Sequence, residues 1–203
     1  MKHKKLPRSF YERNDVLLIA RELLGKIVVT NINDRYTSGR IVETEAYVGL
    51  VDRASHSYGG KRTPRNEHMY SPAGTAYIYI CYGIHHMLNV VTNKEGKPDA
   101  VLIRAVEPLE GIDIMLERTG KTVLDHSLTR GPGNAGKALG IYKHLSGIFL
   151  LDNQIYLEDD GFSIPDEDIG ISKRIGVEGA GEDAHLPYRF YLKGNPYVSG
   201  RKN

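Results

Sequence analysis

Apolar residues recur along the chain with two different periods, and the switches between them mark its elements. Val16, Ile19 and Leu23 fall at helical spacing behind the capping candidates Asn14 and Asp15, and Gly25 closes the run. Lys26 to Ile32 is β-branched and apolar, Asn31 to Arg35 is rich in turn residues, and Ser38 to Val48 returns as a strand, so a hairpin is predicted. From Ser57 to Gly74 the chain is Gly, Pro, Arg and Asn with little periodicity, which reads as a long ordered loop. Thr75 to Tyr82 then alternates, Tyr77 and Tyr79 against Ile78 and Ile80, and a second strand runs from Ile84 to Thr92. The two join at Tyr82-Gly83, a hairpin with an aromatic at its tip.

Further on, Ala100 to Val106 reads as a strand, Leu109 to Arg118 as a helix, and Ala135 to Leu139 as part of a short helix after a glycine-rich turn. Gln154 to Leu157, Ile171 to Val177 and Tyr188 to Leu192 read as short strands. Hairpins and isolated helices without a βαβ period predict an α+β fold. We expect one compact domain over residues 1–203, a mostly antiparallel sheet with flanking helices, and residues 1–10 as a flexible basic arm.

Composition narrows the functional classes. Lys plus Arg number 27 against 25 Asp plus Glu, a formal net charge of +2, so a basic surface must be a local patch. A single cysteine, Cys81, excludes an intrachain disulfide and a Cys-only zinc site and fits a reducing, intracellular compartment. The opening residues lack the apolar run of a signal peptide, and no stretch approaches the ~18 apolar residues of a membrane span. Trp is absent and Phe numbers 4, yet there are 13 Tyr, a skew that points to a use for tyrosine beyond packing.

Two motifs offer chemistry that their surroundings do not support. Gly131-Pro132-Gly133-Asn134-Ala135-Gly136-Lys137 fits G-x-G-x-x-G and the start of a Walker A loop. Position 138 is Ala where a Walker A loop needs Ser or Thr, and no βαβ unit surrounds the segment. The plainer reading is a tight turn feeding a helix, whose amides and Lys137 could meet a phosphate. His56, His68, His85 and His86 lack metal-ligand spacing, and adjacent His85 and His86 point to opposite faces of a strand.

Gly39-Arg40-Ile41-Val42-Glu43-Thr44-Glu45-Ala46-Tyr47 is more informative. A strand this apolar should be buried, and an unpaired buried carboxylate is costly. Positions 43, 45 and 47 share a face, with successive Cβ atoms about 6.5–7 Å apart. Glu43 and Glu45 are therefore either an acid/base pair of the inverting-glycosidase kind or carboxylates paired with arginines. Tyr47, Tyr77 and Tyr79, with Tyr82 at a hairpin tip and Lys61, Arg62 and Arg65 nearby in sequence, are materials for stacking bases beside phosphates. A carboxylate among aromatics, with a wedge and a basic rim, suits chemistry on an extruded base.

Ordered blocks over most of the chain resemble the alkyladenine (3-methyladenine) DNA glycosylases. They are Leu23-Leu24-Gly25, G-R-I-V-E-T-E-A-Y (39–47), Ala54-Ser55-His56-Ser57, G-G-K-R-T-P-R-N (59–66) and G-T-A-Y-I-Y-I-C-Y-G (74–83). L-I-R-A-V-E-P (102–108), the G-P-G turn, R-I-G-V (174–177) and R-F-Y (189–191) extend the likeness, while the first ~10 residues, 121–127 and 143–170 match poorly. The resemblance implies a curved sheet with a protruding hairpin, and a monofunctional enzyme that removes damaged purines from double-stranded DNA. It implies no metal and no cofactor, and the small basic domain suggests a monomer.

The resemblance also implies roles. Glu45 would be the general base, with Arg104 and the backbone carbonyl of Ile175 holding the attacking water. Tyr47 would stack on one face of the base and His56 with Tyr79 on the other, while Asn89 would disfavour guanine. Tyr82 would fill the gap left by the flipped nucleotide, with Ile84, Lys61, Arg62, Arg65 and Lys137 contacting DNA. Glu43 would be structural. Ile84 stands where some relatives carry Met, and Asn134 where Lys is frequent. A two-carboxylate nucleoside glycosidase and a lesion-binding module without catalysis are the alternatives.

Overall fold

The computed structural model describes residues His3–Gly200. The first helical pattern folds as α2 (Val16–Glu22), following a short α1 (Arg8–Tyr11). Asp15 caps α2 by accepting the Leu18 amide at 2.9 Å, as an N-cap carboxylate should. Strands β2 (Ile27–Ile32) and β3 (Arg35–Tyr47) form the predicted hairpin, turning at Asn33 and Asp34, both with positive φ.

The second hairpin is β4 (Ala76–Cys81) and β5 (His85–Thr92), and β6 (Asp99–Glu110) lies beside β5. Tyr82 and Gly83 at its tip have φ of 51° and 76°. Helices α3 (Ile112–Thr119) and α4 (Pro132–Ala138) follow, then β7 (Ile155–Asp159), β8 (Ile169–Ser172) and β9 (Arg189–Leu192).

With β1 (Lys4–Lys5), these make one open antiparallel sheet in the order β1-β7-β2-β3-β6-β5-β4, with β8 and β9 joined through β9 to β3. The fold is α+β, as predicted. β3 changes neighbours along its length. Residues 35–40 pair with β2, whereas Glu43, Thr44 and Glu45 pair with β9, and β6 follows the opposite edge. Register shifts at Ile41/Glu43 and Glu43/Thr44 leave Val42 and Arg104 as extra residues, bulges that re-aim side chains where the partner changes.

One face of the sheet carries the main core. Ile19 and Leu23 of α2 join Val28, Ile41, Ile78, Val90, Ile103 and Leu139 there. On the other face Tyr77, Val91 and Ala100 cluster with Met69 and Tyr70, and Tyr79 leans on them. The alternation along β4 thus sorts isoleucines inward and tyrosines to the far face, where the cleft described below opens.

Four expectations need correction. Lys4 and Lys5 pair with Asp159 and Glu158 of β7, Leu6 is buried and Arg8–Tyr11 is helical, so this part of the expected flexible arm is anchored. Met1 and Lys2 lie outside the described residues. Leu109 and Glu110 end β6 rather than begin a helix, because Ser38 and Gly39 of β3 pair with Glu110 and Pro108. Strand β8 stops at Ser172, and 173–177 is a loop. The segment 57–74 contains two short 3₁₀ turns, Tyr58–Gly60 and Glu67–Tyr70.

The glycine-rich motif has a packing explanation. α4 starts at Pro132, a favoured first helical position. A Cβ on Gly133 would meet the His85 ring at 2.5 Å, and one on Gly136 the His86 carbonyl at 2.2 Å. These glycines let α4 lie directly against β5.

Candidate active site

The far face of the sheet holds a cleft of about 380 Å³, within the ordinary size of ligand clefts. Its wall combines Tyr47 of β3, Tyr77 and Tyr79 of β4, Asn89 of β5, Arg104 of β6 and Ile175 of the 173–177 loop. His56, Arg65 and Tyr82 line it too. The residues predicted for base binding therefore meet Arg104 and Ile175 in one place.

Glu45 sits behind this wall with no exposed surface. Its Oε1 accepts the Ile175 amide at 2.7 Å, its Oε2 accepts the Tyr47 hydroxyl at 2.9 Å, and Arg104 Nη1 forms an ion pair with Oε2 at 3.1 Å. Two donors and the Arg104 cation, from three parts of the chain, offset the cost of burying the charge. Burial, and then the negative charge of Glu45, hold Tyr47 well above the usual tyrosine range, so its hydroxyl keeps the proton that it donates.

Behind the Tyr47 ring lies the Arg174 guanidinium, 4.8 Å from the ring centre. Arg174 is held by Asp52 through both nitrogens, Nη2 at 2.8 Å from Oδ1 and Nη1 on Oδ2. It also donates to the Ala46 carbonyl at 2.9 Å. Arg174 and Asp52 thus pin the loop that presents Ile175 and the strand end that presents Tyr47.

On the opposite wall the His56 and Tyr79 rings meet edge-on, centres 4.6 Å apart, and His56 Nδ1 lies 2.7 Å from the Tyr77 hydroxyl. Burial, aided by nearby Arg65 and Lys61, lowers His56 to about 4, so the ring is neutral at pH 7. Burial pushes Tyr79 up to about 12. Asn66, which we did not single out, orders this wall: its Nδ2 donates to the carbonyls of His56 at 2.9 Å and Lys61 at 2.8 Å. Asn89 Nδ2 is tied to the Tyr77 and Met87 carbonyls.

Tyr82 stands above the cleft at 87% exposure and Ile84 beside it at 71%. Large apolar groups so exposed at a hairpin tip are surplus to the core and available for contact with a partner. The predicted basic residues divide. Arg65 lies at the cleft mouth, donates to the Ile80 carbonyl at 3.3 Å and sits over the Tyr79 ring. Lys61 is exposed nearby. Arg62 is engaged bidentately by Glu67, and Lys137 lies in the last turn of α4, donating to the Thr119 carbonyl at 3.2 Å. Lys143 was missed. Its backbone amide donates to His86 Nδ1 at 3.0 Å, and burial and then the charge of Arg65 lower its ammonium group.

Glu43 does not line the cleft. Its carboxylate accepts from Arg104 Nε, Arg189 Nε, the Ser199 amide and the Ser199 hydroxyl. Three of these donors meet Oε1 and the Ser199 amide meets Oε2, so both oxygens are engaged by protein away from the cleft and the arrangement does not supply a second free acid/base group. Among the described residues no three or more His, Cys, Asp or Glu are grouped as a metal site, and no helix is long and apolar enough to cross a membrane.

The sequence profile of the methylpurine-DNA glycosylase family matches residues 9–196. The chain belongs to that family. Its relatives include a protein of Desulfitobacterium hafniense, 47% identical, with 97% of this chain and 98% of the relative aligned. Proteins of Clostridium acetobutylicum (43%; 96% and 97%) and Bacillus thuringiensis (42%; 95% and 98%) are similar over the same extent. All three bear the name "Putative 3-methyladenine DNA glycosylase". As a methylpurine-DNA glycosylase family member the chain is a DNA glycosylase with DNA as its substrate, in keeping with base excision repair.

Proposed function

We propose that the protein flips damaged purines (3-methyladenine, 7-methylguanine, hypoxanthine and etheno-adenine) from duplex DNA into this cleft. There it hydrolyses the N-glycosidic bond with water and leaves an abasic site. The observation that carries this reading is a fully buried Glu45, held by two hydrogen-bond donors and the Arg104 cation behind the wall of an aromatic cleft beneath an exposed Tyr82.

The chemistry follows from the count of lone pairs. Ile175 and Tyr47 each take one acceptor position, on opposite oxygens of Glu45, and the Arg104 cation lies against Oε2, which leaves a position on Oε1 to orient a water and take its proton. Arg104 and the Ile175 carbonyl hold that water. As the base departs with the glycosidic electron pair, the water oxygen bonds to C1′ and the carboxylate stabilises the oxocarbenium-like sugar. Tyr47 covers one face of the base, and His56 with Tyr79 the other. Electron-rich faces suit alkylated, often cationic purines, each stacked contact contributing roughly 1–3 kcal/mol. Asn89 lines the place of the guanine N2 amino group and disfavours the normal base. The protein acts as a monomer.

Single-turnover base release from duplexes carrying one hypoxanthine or one 7-methylguanine, run in EDTA, tests the reading. Abasic product is expected from both. Tight binding of the lesion duplexes without any abasic product would replace the proposal with a lesion-binding module.

Two further results are expected. Tyr82→Ala slows release from a paired lesion more than from the same lesion mispaired, because a wedge serves extrusion and mispairing already weakens the stack. Equal slowing on both substrates removes the wedge role. Affinity for lesion DNA falls steeply as salt rises, and Arg65→Ala lowers the slope of log K against log salt by about 1. Arg62→Ala changes that slope less, since Glu67 already neutralises Arg62. Equal slopes for wild type and Arg65→Ala would take Arg65 off the phosphate path.

A further inference from the structure

We propose that Glu43, buttressed by Arg189 and by Ser199 near the C-terminus, is a positioning residue that keeps Arg104 from closing on Glu45 as a two-pronged pair. The inference rests on the reading of Glu45 and Arg104 given above.

Arginine and carboxylate groups commonly pair through two parallel hydrogen bonds. Arg104 does not do so with Glu45. Nε donates to Glu43 at 2.9 Å, Nη2 donates to the Ser199 hydroxyl at 3.1 Å, and only Nη1 reaches Glu45, at 3.1 Å. Each nitrogen of the planar group has a different partner, so its orientation is fixed. That leaves Glu45 the acceptor position needed for water.

Glu43 is itself held from two remote segments. Arg189 of β9 donates through Nε at 2.7 Å, and Ser199 donates its amide at 2.7 Å to one carboxylate oxygen and its hydroxyl at 2.9 Å to the other. Arg189 Nη2 returns to the Ser199 carbonyl at 2.7 Å and Nη1 to the Ser172 hydroxyl at 2.9 Å. The cluster is charge-balanced, Glu43 and Glu45 against Arg104 and Arg189, and all four are buried. Burial alone would raise the Glu43 carboxyl, but Arg104, Arg189 and the Ser199 amide outweigh it and hold Glu43 ionised. Without that charge, Arg104 is drawn to the remaining carboxylate and takes the water's place.

The test is a double-mutant cycle on the full chain, with Glu43→Gln, Arg104→Gln, the double variant and Ser199→Ala. Single-turnover release at saturating enzyme, Kd for lesion duplex and circular dichroism are measured for each. Glu43→Gln is expected to slow release on the order of 10- to 100-fold, the scale of a lost charge-assisted hydrogen bond. Its Kd should stay within about twofold of wild type, and the double variant should be no slower than Arg104→Gln alone. Ser199→Ala should shift the rate the same way by less, and it carries the test if Glu43→Gln does not fold. A wild-type rate in Glu43→Gln, multiplicative losses in the double variant, or an unimpaired Ser199→Ala beside an unfolded Glu43→Gln would overturn the proposal. Failure of the underlying reading looks different: no base release by wild type, or no loss in Arg104→Gln.

Discussion

Glu45→Gln is expected to slow single-turnover base release on the order of 10²–10⁴-fold, the usual contribution of a positioned general base. Binding of lesion DNA should stay within a few-fold of wild type. The substitution keeps the shape of the side chain but removes the charge that, in the proposed mechanism, orients water and faces the oxocarbenium-like sugar. Its carbonyl oxygen can still accept from Ile175 or from Tyr47, whereas its amide nitrogen turns a donor toward groups that are donors themselves. The proposed aromatic stacking and insertion of Tyr82 do not pass through position 45, so affinity and rate should separate. If both fall together, Glu45 supports the cleft and the base-activating group lies elsewhere. A rate within a few-fold of wild type would dismiss Glu45 as the base outright.

How much was legible in the sequence depends on how local the determining contact is. The capping of α2 by Asp15, the β2–β3 and β4–β5 hairpins and the sorting of Ile78 from Tyr77 and Tyr79 all follow from patterns within a few residues. The buried Glu43-Thr44-Glu45 segment advertised itself because carboxylates in an apolar strand demand partners.

The partners themselves were not legible in the pattern. Arg189 and Ser199 reach Glu43 from 146 and 156 residues away, and alternation within one strand says nothing about them. The same holds for the extension of β6 through Pro108. Beyond Leu102 that strand pairs on one side alone, with β3, so a proline missing a donor is tolerated there. In the loop 173–177, Ile175 and Val177 keep the alternation begun at Ile171, which makes it look like a continuation of β8. Its Arg174 and the amide of Ile175 are instead claimed by Asp52 and Glu45, and a strand cannot serve both. Lys4 and Lys5 carry no apolar signal, and only the facing Glu158 and Asp159 of β7 make them a strand.

That division identifies the pair on which stability and chemistry meet. Asp52→Ala is expected to destabilise the fold by about 3–5 kcal/mol, the cost of stranding one member of a buried ion pair. For a domain of this size that lowers Tm by roughly 6–20 °C. The side chains of Arg174 and Asp52 are almost wholly buried, and Arg174 Nε already lacks a partner, so the stranded guanidinium has little else to turn to. Asp52 also accepts the amides of Val48 and Ala54, which shape the turn leading to His56. Losing it should loosen both walls of the cleft at once, through Tyr47 and Ile175 on one side and His56 on the other. Base release should then fall even at temperatures where Asp52→Ala remains folded. The double variant Asp52→Asn/Arg174→Met, which removes both charges, should recover part of the lost Tm, because a neutral pair of similar volume avoids the desolvation cost of the ions and the Asn oxygen can still accept an amide. It should not recover the rate, since no guanidinium is left behind the Tyr47 ring to hold the 173–177 loop in place. Thermal unfolding followed by circular dichroism, alongside single-turnover release, measures both. A fall in Tm of less than 2 °C for Asp52→Ala would mean that water reaches the pair and that the loop is held by other contacts.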